Sequence, residues 1–499
     1  MKLNQYIISL MILAFSVTSC QDYITVVPEN NQSTSQYWKT KEDVESVLGA
    51  GYIKLRDAQE YLMLWGEARG NGIYFNGGIT NAPTVAAQKL RQFDILATND
   101  LAKWDKLYAI INMANSVIKY GPEVQDASFN VNVMHSYLSE AYFQRALAYF
   151  YLVRIWRDVP FVKQPYVDDS APYSIAKTSG DEILKSCLVD LNTALESAKV
   201  KFPETSLDNP VNTKGRATKW AIYSLIADIN LWLGNYDACI PACDAVINSG
   251  QVGLISGASW FNNFCNASGN GNSNESIFEI QYDYSKNQTN SFISWFSTNL
   301  YYFISPYQFY LYNLEPTDLR GLNTSFISTG LIWKYIGNAP YTASVPSRTS
   351  TMNDQDWIIY RLADVYLMQA EAYAMKGDSA SMSKSQVLVN TIRSRAGLIA
   401  APGASNKLAQ IRIILQERQR EFFCEGKNWF DLVRIGNRSD AGFKDLFIEQ
   451  VLQVASASNS AMIRAILQDN NSWYLPIHTD ELTANKLLVQ NPYYANLGN

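Results

Sequence analysis

"RATKWAIYSLIADINLWLGNYDACIPACDAVINSG" (216–250) holds two apolar patterns separated by Gly234-Asn235. On each side of that break, apolar residues recur every three or four positions, the period of one helix face. Gly and Asn are the residue types that tolerate the left-handed backbone at a helix end. Alanines at 217, 221, 227, 238, 242 and 245 let two helices approach closely. The stretch predicts a helical hairpin, and a chain built from such hairpins is mainly α.

The pattern returns on both sides of this stretch. "SYLSEAYFQRALAYFYLVRIW" (136–156) sets Ala141, Arg145, Ala148 and Leu152 on one face, and Pro160 in the following "DVPF" is expected to stop the helix. "TSGDEILKSCLVDLNTALESA" (178–198) opens with Thr178 or Ser179 as a cap and acids in the first turn. "YRLADVYLMQAEAYAMKGDSASMSKSQVLVNTIRSRAG" (360–397) repeats the hairpin around Gly377-Asp378. Helix, glycine turn and an alanine-lined second helix together resemble the tetratricopeptide repeat, although Gly234 and Tyr236 have one residue between them instead of two. Each pair buries its face only against another, so the pairs should form one superhelical layer. They are not in tandem: residues of about 250–357 intervene, and connections that long usually serve a function.

That insert contains "IFEIQYDY" (277–284), which alternates like a strand. Residues 287–314 carry no charge, and "FISWFSTNLYYFISPYQFYLY" (292–312) holds ten aromatics in 21 positions. The Ser, Asn, Thr and Gln scattered among them fit poorly with complete burial. A binding surface is the expectation here, with Trp295, Tyr301 and Tyr302 as first candidates and Phe296 and Phe303 as anchors beneath. Tyr307, Phe309 and Tyr310 are read as core. A second loop, "EARGNGIYFNGGITNAP" (67–83), offers Tyr74 and Asn76. For each residue singly, core packing is an equal reading. Sugar rings stack on aromatic faces while their hydroxyls seek amides, so a surface with few charges suits a neutral glycan.

Composition narrows the chemistry. The 499 residues are 47% hydrophobic and 17% charged, with a formal charge of −5. No basic footprint exists for nucleic acid. Two histidines, His135 and His478, cannot build a multi-histidine metal site. Cys239 and Cys243 stand one helical turn apart with no further Cys or His nearby, so they read as buried thiols. Glu417, Glu421 and Glu425, at i, i+4 and i+8, would share a helix face. Glycoside hydrolysis needs carboxyl groups on opposite sides of a sugar. With Arg361, Arg418, Arg420 and Arg434 in neighbouring motifs, a structural ion-pair network is the expectation.

At the N-terminus, Lys2 precedes an apolar run, Tyr6 to Val17, that is shorter than a membrane span and matches a secretory signal. Val17-Thr18-Ser19-Cys20 then resembles a bacterial lipobox, which makes Cys20 the lipid-bearing first residue. Residues 1–19 read as signal peptide and 20–35 as lipidated Cys and tether. Residues 36–499 read as one domain carrying the insert at about 250–357.

The joint order of these pieces is similar to that of the SusD/RagB family. They are Cys20; "AYFQRALAYFYLVRIWRDVPFV" (141–162); the 215–247 hairpin; "NESIFEI" (274–280); "DLR" (318–320); "IIYRLADVYLMQAEAYAMKGD" (358–378); "ERQREFFCEGKNWFDLVRIG" (417–436); and "WYLPIHTDELTANKLLVQNPYY" (473–494). The resemblance implies four TPR-like helix pairs, with irregular loops and short strands over one side carrying the ligand site. It implies an outer-membrane lipoprotein facing the exterior, with no cofactor and no catalysis, that passes oligosaccharide or peptide to a SusC-like TonB-dependent transporter. A TPR-type adaptor that docks a protein tail is the alternative from another class. One departure is Arg157, where relatives often carry Gly before "DVP".

Overall fold

A computed structural model describes residues 37–77, 82–167, 173–203, 210–265 and 271–496, so Cys20 and the tether lie outside the described residues. The first elements are α1 (Lys41–Asp57), α2 (Gln59–Glu67), β1 (Ile73–Phe75), α3 (Ala82–Gln92), α4 (Asp105–Tyr120) and α5 (Val131–Trp156). There follow β2 (Val159–Pro160), β3 (Lys177–Thr178), α6 (Gly180–Leu195), α7 (Pro210–Gly215), α8 (Lys219–Leu233), α9 (Tyr236–Ile247), β4 (Ser276–Ile280) and β5 (Tyr302–Ile304). Then come α10 (Pro306–Asn313), β6 (Trp357–Arg361), α11 (Leu362–Lys376), α12 (Ser379–Arg395), α13 (Lys407–Glu421) and α14 (Asn428–Gly436). The chain closes with α15 (Phe443–Leu452), α16 (Ser460–Leu467), α17 (Thr479–Ala484) and α18 (Pro492–Ala495).

The fold is mainly α. Four pairs, α1/α4, α5/α6, α8/α9 and α11/α12, stack in that order, each touching the next. The hairpin turns are as expected. Gly234 and Gly377 adopt φ +79° and +78°, in the region where a side chain would be strained. Thr218 and Ser179 cap α8 and α6 through their hydroxyls.

Two boundaries differ from expectation. Asn130 starts α5 five residues earlier than the periodic stretch indicates, and the helix stops at Trp156, ahead of Pro160. Its terminator is Arg157, at φ +68°, a backbone that favours glycine. The side chain compensates by donating to Asn471 Oδ1 at 2.9 Å. Likewise α13 ends at Glu421. Glu425 therefore does not continue the helical stripe; it sits beyond a turn in which Cys424 has φ +59°. The five described cysteines are free and buried, and the Cys239 and Cys243 sulfurs lie 3.9 Å apart. His478 caps α17 through Nδ1, while His135 is exposed on α5.

The three Glu residues meet in a buried ion network all the same. Arg361 pairs with Glu275 at 2.8 Å, Glu425 at 3.0 Å, and Glu421. Arg320 holds Asp318 at 2.6 Å, Glu417 at 2.7 Å and Glu421 at 2.6 Å. Arg395 adds Glu275 and Glu421, and Lys334 adds Glu425 at 2.9 Å. The adjacent cations shift Glu417, Glu421 and Glu425 below the ordinary carboxylate range even though burial opposes it. Arg418 pairs with Asp364 and Asp431, and Arg434 with Glu371. The network ties the residue before β4 and the end of β6 to α12 and α13. β4 pairs antiparallel with β6 and every one of its residues is buried, so its alternation separates two packed faces and not core from solvent.

Removing one member of a buried ion pair leaves an uncompensated charge, which typically costs about 3–5 kcal/mol. Arg361→Met is therefore expected to unfold the protein or to lower its denaturation midpoint sharply. Arg412→Met, which breaks the exposed pair with Glu449, should cost less than about 1 kcal/mol. Equal effects of the two would contradict this reading.

Glu67 supplies a pH test. Burial pushes its carboxyl up to about 8 from an ordinary 4.5, although the Gly426 N–H donates to it at 2.8 Å. The folded state keeps the proton that the unfolded chain releases, so stability falls as pH rises between those two values. Glu67→Gln is expected to flatten that fall in urea titrations and to gain about 1–3 kcal/mol near the upper end. An unchanged slope would count against a neutral Glu67.

Candidate aromatic ribbon and cleft

The two loops singled out in the sequence come together. β1 pairs antiparallel with β5, placing Tyr74 opposite Phe303 and Phe75 opposite Tyr302. Asn76 extends the ladder: its N–H donates to Tyr301 O at 3.1 Å and its amide to Leu300 O at 3.2 Å.

This ribbon is anchored from below. Asn71, fully buried, donates to Gln450 and accepts from Gln419 and Asn428. Ser305 clamps the start of β1 by bonding Asn71 O and Gly72 O. Gly66 fits against the Gly426 backbone, where a Cβ would collide at 1.9 Å. The turn that carries Glu425 thus also seats α2 and the segment leading into β1.

Side chains alternate across a strand, so the ladder decides which aromatics face out. Tyr74, Asn76, Tyr301 and Phe303 share the outer face, and Tyr74 is 54% exposed. Ile73, Phe75, Tyr302 and Ile304 face inward.

The inner face corrects two expectations. Tyr302 is fully buried, with its hydroxyl 3.0 Å from the Thr84 hydroxyl. Trp295, 2% exposed, belongs to a π-helical turn at Ser294–Thr298. It packs edge-on against Tyr302 with centroids 6.0 Å apart. Neither offers a face to a ligand here, because the ladder register and the π-turn point them at the core. Phe296 is a buried anchor as expected, but Phe303 is on the outer face. Tyr310, read as core, is 57% exposed.

Beside Tyr74 opens a cleft of about 550 Å³, walled by Gln88, Arg91, Gln92, Pro306 and Gln453–Ser456. A second cleft of about 150 Å³ continues from Arg91, Gln92 and Val454–Ser456 toward Asn459. Elsewhere, Trp104, Tyr108, Tyr166 and Tyr173 line one of about 330 Å³. Its Tyr108 hydroxyl is already committed to Pro160 O at 2.6 Å. Only the first receives a residue nominated from the sequence. The residues that sequence reasoning missed, Arg91 and the 453–456 segment, sit in ordinary helical and polar stretches with no local signature. Among the described residues no group of three or more His, Cys, Asp or Glu could hold a metal ion.

Comparison with known proteins adds to this geometry. A family model described as "SusD family" matches residues 248–494, and one described as "Starch-binding associating with outer membrane" matches residues 22–231. "SusD-like protein P38" of Formosa agariphila is 26% identical over 481 residues, spanning 86% of this chain and 91% of that one. A SusD-like protein of Bacteroides ovatus is 25% identical, spanning 87% and 82%. Among solved structures, a SusD superfamily protein from Bacteroides vulgatus superposes with a TM-score of 0.72 at 20% identity, covering 92% of this chain and 100% of that one. A "Laminarin binding SusD-like protein" superposes with a TM-score of 0.69 at 20% identity, covering 91% and 100%. With both halves of the sequence matched by models of this family and the overall fold shared with its solved structures, this chain belongs to the SusD/RagB family.

Proposed function

We propose that the protein captures oligosaccharide on the outer face of the β1–β5 ribbon and in the adjoining cleft. In this reading it is an outer-membrane lipoprotein anchored through Cys20, facing the exterior, and it delivers its ligand to a SusC-like TonB-dependent transporter without chemical change. The observation that carries the reading is the ribbon itself, which sets exposed Tyr74 and half-buried Tyr301 and Phe303 on one face next to a cleft.

The physics supports a sugar. Pyranose C–H faces stack on flat aromatic rings, and amides such as those of Gln92 and Gln453 in the cleft wall suit hydroxyl groups that both donate and accept. Absence of catalysis is supported by the fate of the tempting carboxylates. Glu417 and Glu421 are fully buried and Glu425 is 3% exposed. All three are saturated by guanidinium or ammonium groups, so none is free to protonate a leaving group. The laminarin-binding neighbour and the family description naming starch binding point to the same ligand class. Peptide capture and the adaptor reading have no comparable observation in their favour.

Binding of the purified protein to a panel of oligosaccharides and peptides tests this proposal. Replacing Tyr74, Tyr301 and Phe303 together by Ala should weaken glycan binding at least about tenfold while leaving the fold intact. Trp295→Ala should instead cost about 3–5 kcal/mol of stability. The reverse assignment of effects would place the site elsewhere. Cys20→Ala should leave a precursor that no longer fractionates with membranes; unchanged fractionation would remove Cys20 as the anchor.

A further inference from the structure

The uncharged 287–314 segment suits a neutral ligand, yet the folded cleft contains a full positive charge from another part of the chain. Arg91, in the last turn of α3, lines both adjoining clefts. Among the described residues it is the only Lys, Arg, Asp or Glu that walls them.

Like Arg69 and Arg438 it has no carboxylate partner among the described residues, but those two are taken up by main-chain carbonyls and by the rings of Trp429 and Tyr236 instead of lining a cleft. Arg145, Arg216, Arg320, Arg361, Arg418 and Arg434 each meet at least one carboxylate within 3.0 Å. Arg91 meets none among the described residues. One of its Nη1 hydrogens goes to the Gly70 carbonyl, and its other N–H groups have no protein partner there. The nearest acids in sequence are engaged elsewhere, Asp94 with Lys89 at 2.5 Å and Asp100 with Lys103 at 3.0 Å. Burial without a counter-charge pulls the Arg91 pKa down to about 10, which still leaves it protonated at neutral pH.

A half-buried guanidinium without an anion gains from one that a ligand supplies. The planar fork of N–H donors matches the oxygens of a carboxylate or a sulfate better than a single hydroxyl. The Gly70 carbonyl takes one N–H of the fork, and Arg91 lines the cleft. Neutral amides and hydroxyls from Gln88, Gln92 and Ser456 surround it, so no fixed negative charge there competes with a ligand. Tyr74 lies on the same cleft, so an acidic sugar seated on Arg91 can be continuous with rings stacked along the ribbon.

We infer that the captured glycan is acidic, carrying a uronate carboxylate or a sulfate ester that Arg91 receives while neighbouring rings stack on Tyr74 and Phe303. This rests on the glycan-capture reading above and makes Arg91 a specificity-determining residue within it.

The test is calorimetric titration of the purified protein with three oligosaccharide sets of matched length: neutral, uronate-containing and sulfated. An acidic peptide set is run alongside. Wild-type protein should prefer one or both acidic sets by at least about tenfold, the scale of one charge-assisted contact. Arg91→Gln should weaken acidic-glycan binding at least about tenfold more than neutral-glycan binding and so erase the preference, while Arg91→Lys should retain part of it. A measurement without mutation guards against a misfolded variant: free glucuronate or sulfate should compete for the wild-type site where glucose does not. Equal wild-type affinity for neutral and acidic glycans overturns the inference and leaves glycan capture standing. So does a loss in Arg91→Gln that is the same for both classes. Binding of acidic peptides in place of glycans, or of no saccharide at all, overturns the capture reading and this inference with it.

Discussion

The rest of the structure hangs on one buried guanidinium. Arg361 stands where β6 hands over to α11 and holds Glu275 from just before β4, Glu421 from the end of α13, and Glu425 from the turn beyond. Helix pairs stacked in a row specify only their neighbours. The long connection between α9 and α11 needs something that ties its ends to the stack, and apolar contacts are not directional. Ion pairs with fixed donor geometry are directional. Their net contribution to stability is small after desolvation, but a misplaced partner is costly. Their role is to make one arrangement of the connection far better than its alternatives.

From that anchor the site follows by short steps. The turn carrying Glu425 offers the Gly426 N–H to Glu67 and presses against Gly66, which seats α2. Asn428, just beyond, reaches Asn71, and the amides of Gln419 and Gln450 complete the clamp. β1 leaves that clamp with its direction set and meets β5. Strand alternation then does the rest, turning Tyr74, Tyr301 and Phe303 outward and Phe75 and Tyr302 inward. The outward aromatic face is a consequence of register, and the polar clamp beneath it holds the start of β1 in place.

Much of this was legible from local chemistry. Gly234 and Gly377 mark hairpin turns because only the left-handed backbone closes them, and small alanines mark where helices touch. The Glu and Arg residues of the 417–436 stretch were readable as a network because buried charges must be paired. Other features were not local. Arginine by itself does not announce a positive φ, and only the Gly that relatives often carry there points to the backbone that ends α5 ahead of Pro160. Glu425 fits a helical stripe on spacing alone, and only Cys424 with its left-handed backbone breaks it. Tyr301 and Tyr302 are chemically alike and adjacent, and their segment has no polar alternation. Which one faces a ligand is decided by pairing with a strand more than 220 residues away. Arg91 belongs to a helix with no unusual pattern, and its isolation from carboxylates exists only in three dimensions.

A crystal structure of the protein with a bound oligosaccharide tests the central claim most directly. The account predicts sugar rings in van der Waals contact with Tyr74 and Phe303, extending toward Arg91, with Trp295 and Tyr302 unmoved beneath. A ligand seated in the cleft of Trp104 and Tyr108, or stacked on a Trp295 swung out of the core, would contradict it.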